Sequence, residues 1–198
     1  MKIYLGIPAY ANQIHAGIVP GILQLYSDLK AHGDTLEFEY ISTALVSFSR
    51  NYLMEQAKDS DFVLMWDADV QVITSFIYRW LELAKDAQVI GLLTRIKSRD
   101  GHEYACGNKV GVAGKYERMK VKPEKPVEVD FIAGGIHLLD NKWMRDNLVQ
   151  PFYQITDLPG PSIIPEDWSL CDKVKAAGGK IMVDPLVEAV HWGQFGWV

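Results

Sequence analysis

The chain has 198 residues, 48% of them hydrophobic and 23% charged, with a formal net charge of −5. Those totals suit a soluble globular protein with a sizeable core and exclude disordered and collagen-like classes. The negative balance argues against a broad electrostatic grip on nucleic acid. With only Cys106 and Cys171, outside any CxxC pattern, neither a disulfide framework nor a structural zinc site is expected.

"KIYLGI" (2–7) reads as a buried strand ended by Pro8. Residues 12–32 carry helical spacing in Ile18, Ile22, Leu25 and Leu29, with Pro20 and Gly21 breaking or delaying the helix. Gly33 and Asp34 turn the chain into a second strand at 36–41. A helix follows over 44–58, closed by Asp59 and Ser60. "DFVLMWDADVQ" (61–71) is the third strand and runs into two aspartates, Asp67 and Asp69, which share a side if the extended geometry persists. Thr74 or Ser75 caps a helix reaching Ala84 or Lys85, and "AQVIGLL" (87–93) is the fourth strand. Strand and helix alternate with short turns, which implies an α/β, largely parallel, doubly wound sheet with right-handed crossovers.

The second half changes character. Residues 107–126 read as a loop or ragged hairpin, and strand character resumes over 127–140 around Gly134 and Gly135. A helix begins near Asp167 and ends at Gly178 and Gly179, followed by late strands at 180–184 and 186–191. No repeat or internal boundary appears, so residues 1–198 are read as one domain. The N-terminus lacks the long apolar stretch of a signal peptide, and no apolar run approaches the ~20 residues of a membrane span. A cytoplasmic protein is the expectation.

Ligands of open parallel sheets bind beyond the C-terminal strand ends. Pro8–Tyr10, Asp67–Asp69 and Thr94–Lys97 all fall there. Paired carboxylates at such a rim suit a hard divalent cation that also meets substrate phosphates; the alternative is a polar turn that caps the next helix. Glu166 and Asp167 behind Pro165 make a sensible helix start, or place a general base at the rim, where the helix N-terminus lowers a carboxylate's pKa. His191 is either a packed residue or a metal ligand, and Arg50 is either exposed on its helix or turned to a phosphate.

Taken in order, "GIPAY", "SRNYL", "DFVLMWDADV", "VIGLLTRIK", "DFIAGGIHLL", "PEDWSLCDKVKAAGGKIMVDP" and "VHWG" resemble the GT-A fold glycosyltransferases, closest to small family 2-like enzymes of bacteria and phages. The resemblance implies a Rossmann-like, mostly parallel sheet with a small antiparallel portion in the C-terminal half. Residues 1–97 would form the nucleotide-sugar half and 98–198 the acceptor and catalytic half. It also implies a divalent Mn²⁺ or Mg²⁺ on Asp69 and His191, with Asp67 in the metal shell or on the ribose. Pro8, Ala9, Tyr10, Arg50, Asn51, Gly134 and Gly135 would line the donor. Asp167, in its pair with Glu166, would be the base of an inverting transfer to an acceptor hydroxyl.

That acceptor could be a glycan, a lipid-linked sugar, a protein or a modified nucleic acid. The chain stops soon after "HWG" and lacks a Gln-x-x-Arg-Trp motif, which points to a single transfer. Trp168, Trp192 and Trp197 are candidates to stack on sugars or to pack in the core, and the apolar Trp197–Val198 end makes a homodimer conceivable. Two other readings remain open. A haloacid dehalogenase-like phosphatase also places Asp-x-Asp after an apolar strand, though here the motif continues Val70–Gln71. A non-catalytic nucleotide-sugar-binding module is the other, distinguished by the absence of donor hydrolysis. A nucleotidyltransferase lacks its glycine-rich, arginine-bearing loop.

Overall fold

The computed structural model describes residues 1–96, 103–111, 115–157 and 163–192. Its first half comprises β1 (Lys2–Ala9), α1 (Val19–Ala31), β2 (Thr35–Ser42), α2 (Val46–Gln56), β3 (Phe62–Trp66), β4 (Val70–Val72), α3 (Ile77–Leu83) and β5 (Val89–Leu92). The second half comprises β6 (Cys106–Val110), β7 (Lys115–Arg118), β8 (Val127–Val129), β9 (Phe131–Ile132), β10 (Ile136–Asp140) and α4 (Asn141–Asn147). After these come β11 (Thr156–Asp157), β12 (Ile163–Ile164), α5 (Glu166–Ala176), β13 (Ile181–Asp184) and β14 (Ala189–His191).

The central sheet has the order β2-β1-β3-β10-β5-β13-β8. Pairings of β1 with β2 and β3, and of β5 with β13, are parallel; β10 and β8 run against their neighbours. The sheet is therefore mostly parallel with an antiparallel portion supplied by the C-terminal half. Strands buried on both faces need helices on both, and the side chains divide accordingly. Ile3, Leu5, Leu64 and Trp66 pack with Leu25 and Leu29 of α1 and Ile77 and Trp80 of α3. On the other face Tyr4, Met65 and Leu139 pack with Leu53 of α2, Met144 of α4 and Leu170 and Val174 of α5. Each fully buried Leu, Ile or Met contributes about 1.5–3 kcal/mol against the chain's entropy.

Several boundaries differ from expectation for local reasons. Strand β1 continues through Pro8 to Ala9, because its pairing with β3 has ended at Gly6 and Met65 and the strand has one neighbour left. Pro20 sits in the first turn of α1, where its missing N–H is not required. Neither Thr74 nor Ser75 caps α3, whose N-cap is Phe76; the Ser75 hydroxyl donates to Asp28 instead. The expected hairpin within 107–126 is the pair β6–β7. Both cysteines are free and buried. Among the described residues no helix is long and apolar enough to cross a membrane. Lys97, Trp197 and Val198 lie outside the described residues.

Candidate active site

Strand β3 ends at Trp66, and the chain turns at once, with the Val70 amide donating to the Asp67 carbonyl at 3.1 Å. The extended geometry that would align Asp67 with Asp69 does not persist, and the two carboxylates take different partners. Asp67 turns into the protein: Oδ1 accepts from Arg50 Nη2 at 2.7 Å and Oδ2 from the Gly135 amide at 2.7 Å. Asp69 faces His191, whose Nε2 lies 3.5 Å from Oδ1. The register of β4 against β14, which sets Val70 opposite His191, brings the imidazole back to this turn, and the Trp192 amide donates to the Asp69 carbonyl.

Arg50 is buried rather than exposed to a ligand. Its Nη1 donates to Glu166 Oε1 at 2.7 Å while Nη2 holds Asp67, so one guanidinium ties α2 to the β3 turn and to the first turn of α5. Its planar fork is what permits two carboxylates on different elements to share one cation. Burial alone would favour loss of its proton. The surrounding Asp67, Tyr153, Asp167 and Glu166 outweigh that and hold its pKa above the ordinary value. Asn51 is engaged too: its amide donates to the Tyr153 carbonyl at 2.6 Å and accepts from the Tyr153 amide at 2.9 Å. Tyr153 in turn lies under Arg50, and its hydroxyl meets His137 Nε2 at 2.6 Å. Burial first, and the Arg50 charge second, lower the His137 pKa to about 3, so this imidazole is neutral.

Asp167 stands on the other side of the glycine pair. Its Oδ2 accepts from the Gly134 amide at 2.6 Å and its Oδ1 from the Trp168 amide at 2.8 Å. Successive amides thus serve two carboxylates, Gly134 for Asp167 and Gly135 for Asp67. A Cβ on Gly134 would overlap Arg50 Nη2 and come within 2.6 Å of Asp67 Oδ2, and Gly135 adopts φ +90. Both positions require glycine. The helix N-terminus was expected to depress the Asp167 carboxyl, and the shift is the reverse. Burial pushes it up to about 6, with Arg50 opposing and Glu166 assisting. A carboxylate poised there is matched to accepting a proton near neutral pH.

Beside this cluster opens a cleft of about 890 Å³ lined by Pro8, Tyr10, His15, Asp67, Asp69 and Trp192. Tyr10 is exposed at its mouth, and Ala11 and Asn12 hold φ 51 and 58 in the loop that follows. Ala9 is buried at the end of β1. His15 stacks on Trp192 with ring centroids 4.6 Å apart, and Trp192 Nε1 donates to Gln71. His15, Gln71, Tyr153 and His137 were not singled out from sequence; only Trp192 was, as a stacking residue. Trp168 packs against Tyr116 and Phe131 rather than facing the cleft.

Among the described residues no cluster of three His, Cys, Asp or Glu side chains forms a metal cage. The placing of Asp69 Oδ1 beside His191 Nε2 would admit a cation between them. Their separation is wider than a tight hydrogen bond, and one carboxylate oxygen with one imidazole nitrogen suits Mn²⁺.

No family model matches the chain, and no curated protein sequence does. Among solved structures it is similar to A197 from STIV, with 17% identity and a TM-score of 0.65 over 98% of this chain and 86% of that one. It is also similar to GalNAc-T7, solved with UDP, GalNAc and Mn²⁺, with 14% identity and a TM-score of 0.59 over 95% of this chain. The match covers 42% of GalNAc-T7, so the chain spans less than half of that protein. Likeness at these identities shows the fold, which is a GT-A, glycosyltransferase-like scaffold.

Proposed function

We propose that this chain is a metal-dependent glycosyltransferase that moves one sugar from a nucleoside diphosphate sugar to an acceptor hydroxyl, with inversion and with Asp167 as the base. The observation that carries the reading is the Asp167–Gly134–Gly135–Asp67 bracket, set beside a cleft of about 890 Å³ on this scaffold. That GalNAc-T7 was solved with UDP, GalNAc and Mn²⁺ supports a sugar-nucleotide donor and a divalent metal.

The donor occupies the cleft between Tyr10 and Trp192, which Pro8 also lines, with Ala9 buried behind it at the end of β1. Asp69 and His191 would hold the cation, which would supply positive charge for the departing diphosphate. Asp67, held by the Arg50 guanidinium and the Gly135 amide, orients the donor through its remaining lone pairs. Arg50 acts from beneath, fixing Asp67 and Glu166, while Asn51 holds the backbone of Tyr153, whose ring lies by Arg50. Asp167 Oδ accepts the proton of the acceptor hydroxyl as that oxygen attacks the anomeric carbon from the face opposite the diphosphate, through an oxocarbenium-like transition state.

The acceptor enters from the other side of the glycine pair. Thr94 lies 3.7 Å from a Cβ placed on Gly135, and it also lines a cavity of about 320 Å³ with Arg95, Tyr104 and Lys122. A phosphatase reading needs the first aspartate as a free nucleophile, and Asp67 is clamped by Arg50. Incubation with a panel of nucleoside diphosphate sugars and Mn²⁺ tests the proposal: release of nucleoside diphosphate by the wild type supports it. Metal-dependent donor binding without hydrolysis or transfer would favour a non-catalytic binding module.

A further inference from the structure

Strand β2 lies at one end of the central sheet, and among the described residues it pairs with β1 alone. Its outer edge presents eight residues, "TLEFEYIS", without proline or glycine, and no described strand pairs with the backbone on that side. Proteins blunt such edges with charges, prolines or bulges. Here the two charges in the strand are turned to partners in their own chain: Glu37 pairs with Lys2 at 2.9 Å, and Glu39 accepts from the Tyr4 hydroxyl at 2.6 Å. Alternation puts Leu36, Phe38 and Tyr40 on the opposite face, which is the face that α1 covers.

Helix α1 extends this apolar surface. Pro20, Gly21, Gln24 and Asp28 face a cavity shared with residues 71–77, on the side of α1 toward β4 and α3. At about 100° per residue, Val19, Leu23 and Tyr26 occupy the opposite flank, which overhangs the outer edge of β2. These three and Phe38 and Tyr40 are between 47% and 63% exposed. Five large apolar side chains thus border one unpaired strand edge.

We infer that this edge is the interface of a symmetric homodimer in which β2 pairs antiparallel with β2 of a second copy. An exposed strand edge can accept a further strand by backbone pairing, which a lipid surface does not supply. A two-fold axis normal to the sheet keeps the Leu36–Phe38–Tyr40 faces of both copies on one side and sets their α1 flanks against each other. The same patch then meets itself, as closed two-fold assemblies require. Glu37 and Glu39 are engaged within each copy, and the charge on the α1 flank is Lys30, which lies over the Tyr26 ring near one end of the helix.

Light scattering on the eluting protein, across micromolar concentrations, tests this with the full chain. The wild type is expected at twice the chain mass. Phe38→Lys on β2 and Leu23→Glu on the exposed flank of α1 are each expected to run as monomers with unchanged circular dichroism. Amide exchange along β2 is expected to slow as wild-type concentration rises. A monomeric wild type at every concentration overturns the inference. So does a dimer that both variants preserve, because the interface then lies elsewhere. Co-flotation of monomeric wild type with phosphatidylglycerol vesicles, lost in Leu23→Glu, overturns it in favour of a lipid surface.

Discussion

Asp167 is ionised at a cost and accepts protons because of it. Burial raises its pKa to about 6 from an ordinary value near 4. Transfer should therefore rise as pH increases through about 6, where the carboxylate forms. The stability contribution runs the other way: a group that binds its proton more tightly when folded stabilises the fold below the unfolded pKa, and that support is lost as pH rises through the folded pKa. Asp167→Asn should slow transfer by about 10²–10⁴-fold while donor still binds; its melting temperature should lose the wild type's pH dependence near 6, offset by one of the Gly134 and Trp168 amides losing its acceptor. Rate profiles and thermal melts across pH check both halves. Asp69→Ala should abolish stimulation by Mn²⁺, measured as donor turnover against metal concentration. Gly134→Ala forces a methyl group between Arg50 and Asp67; a loss of about 1–3 kcal/mol is expected from such overpacking, read as a lower melting temperature together with lost transfer.

Arg50 links three elements, and its replacement should be felt in all of them. Arg50→Leu leaves Glu166 and Asp67 facing each other without a cation, which costs about 3–5 kcal/mol for a broken buried pair. Arg50→Lys cannot span both carboxylates and should recover only part of that stability; urea unfolding of the two variants measures the difference. How much of this was legible in the sequence follows from the range of each interaction. The alternation of strand and helix through residue 93 is set by local hydrophobic periodicity and could be read, as could the strand end at Asp67 and Asp69 and the helix start at Asp167, whereas Gly134 and Gly135 gained a role only through the family resemblance. Short helix α4, seven residues capped by Asp140 on the Trp143 amide, left too little periodic pattern to notice. The inward turn of Asp67 depends on Arg50 and on the Gly135 amide 68 residues away, and the burial of Arg50 on Glu166 116 residues away; no local signal encodes either. For the same reason the helix-terminus argument gave Asp167 the wrong direction of shift: a dipole is local, whereas burial is set by packing.

The sheet brings these parts together because its order departs from the order of the chain. Antiparallel β10 enters between β3 and β5, and its leading glycines reach the turn that carries Asp67. The β4–β14 ribbon returns the last described residues, His191 and Trp192, to the same rim. One cleft then opens on the Asp69–His191 side and a smaller cavity on the Thr94 side, with Asp167 and the glycines between them.

The most direct measurement is the rate of nucleoside diphosphate release and sugar transfer, with Mn²⁺ and a panel of nucleoside diphosphate sugars, for wild type and Asp167→Asn side by side. The account predicts metal-dependent turnover by the wild type and a loss of at least about a hundredfold in a variant that still binds donor. An Asp167→Asn protein that keeps most of the wild-type transfer rate would contradict it.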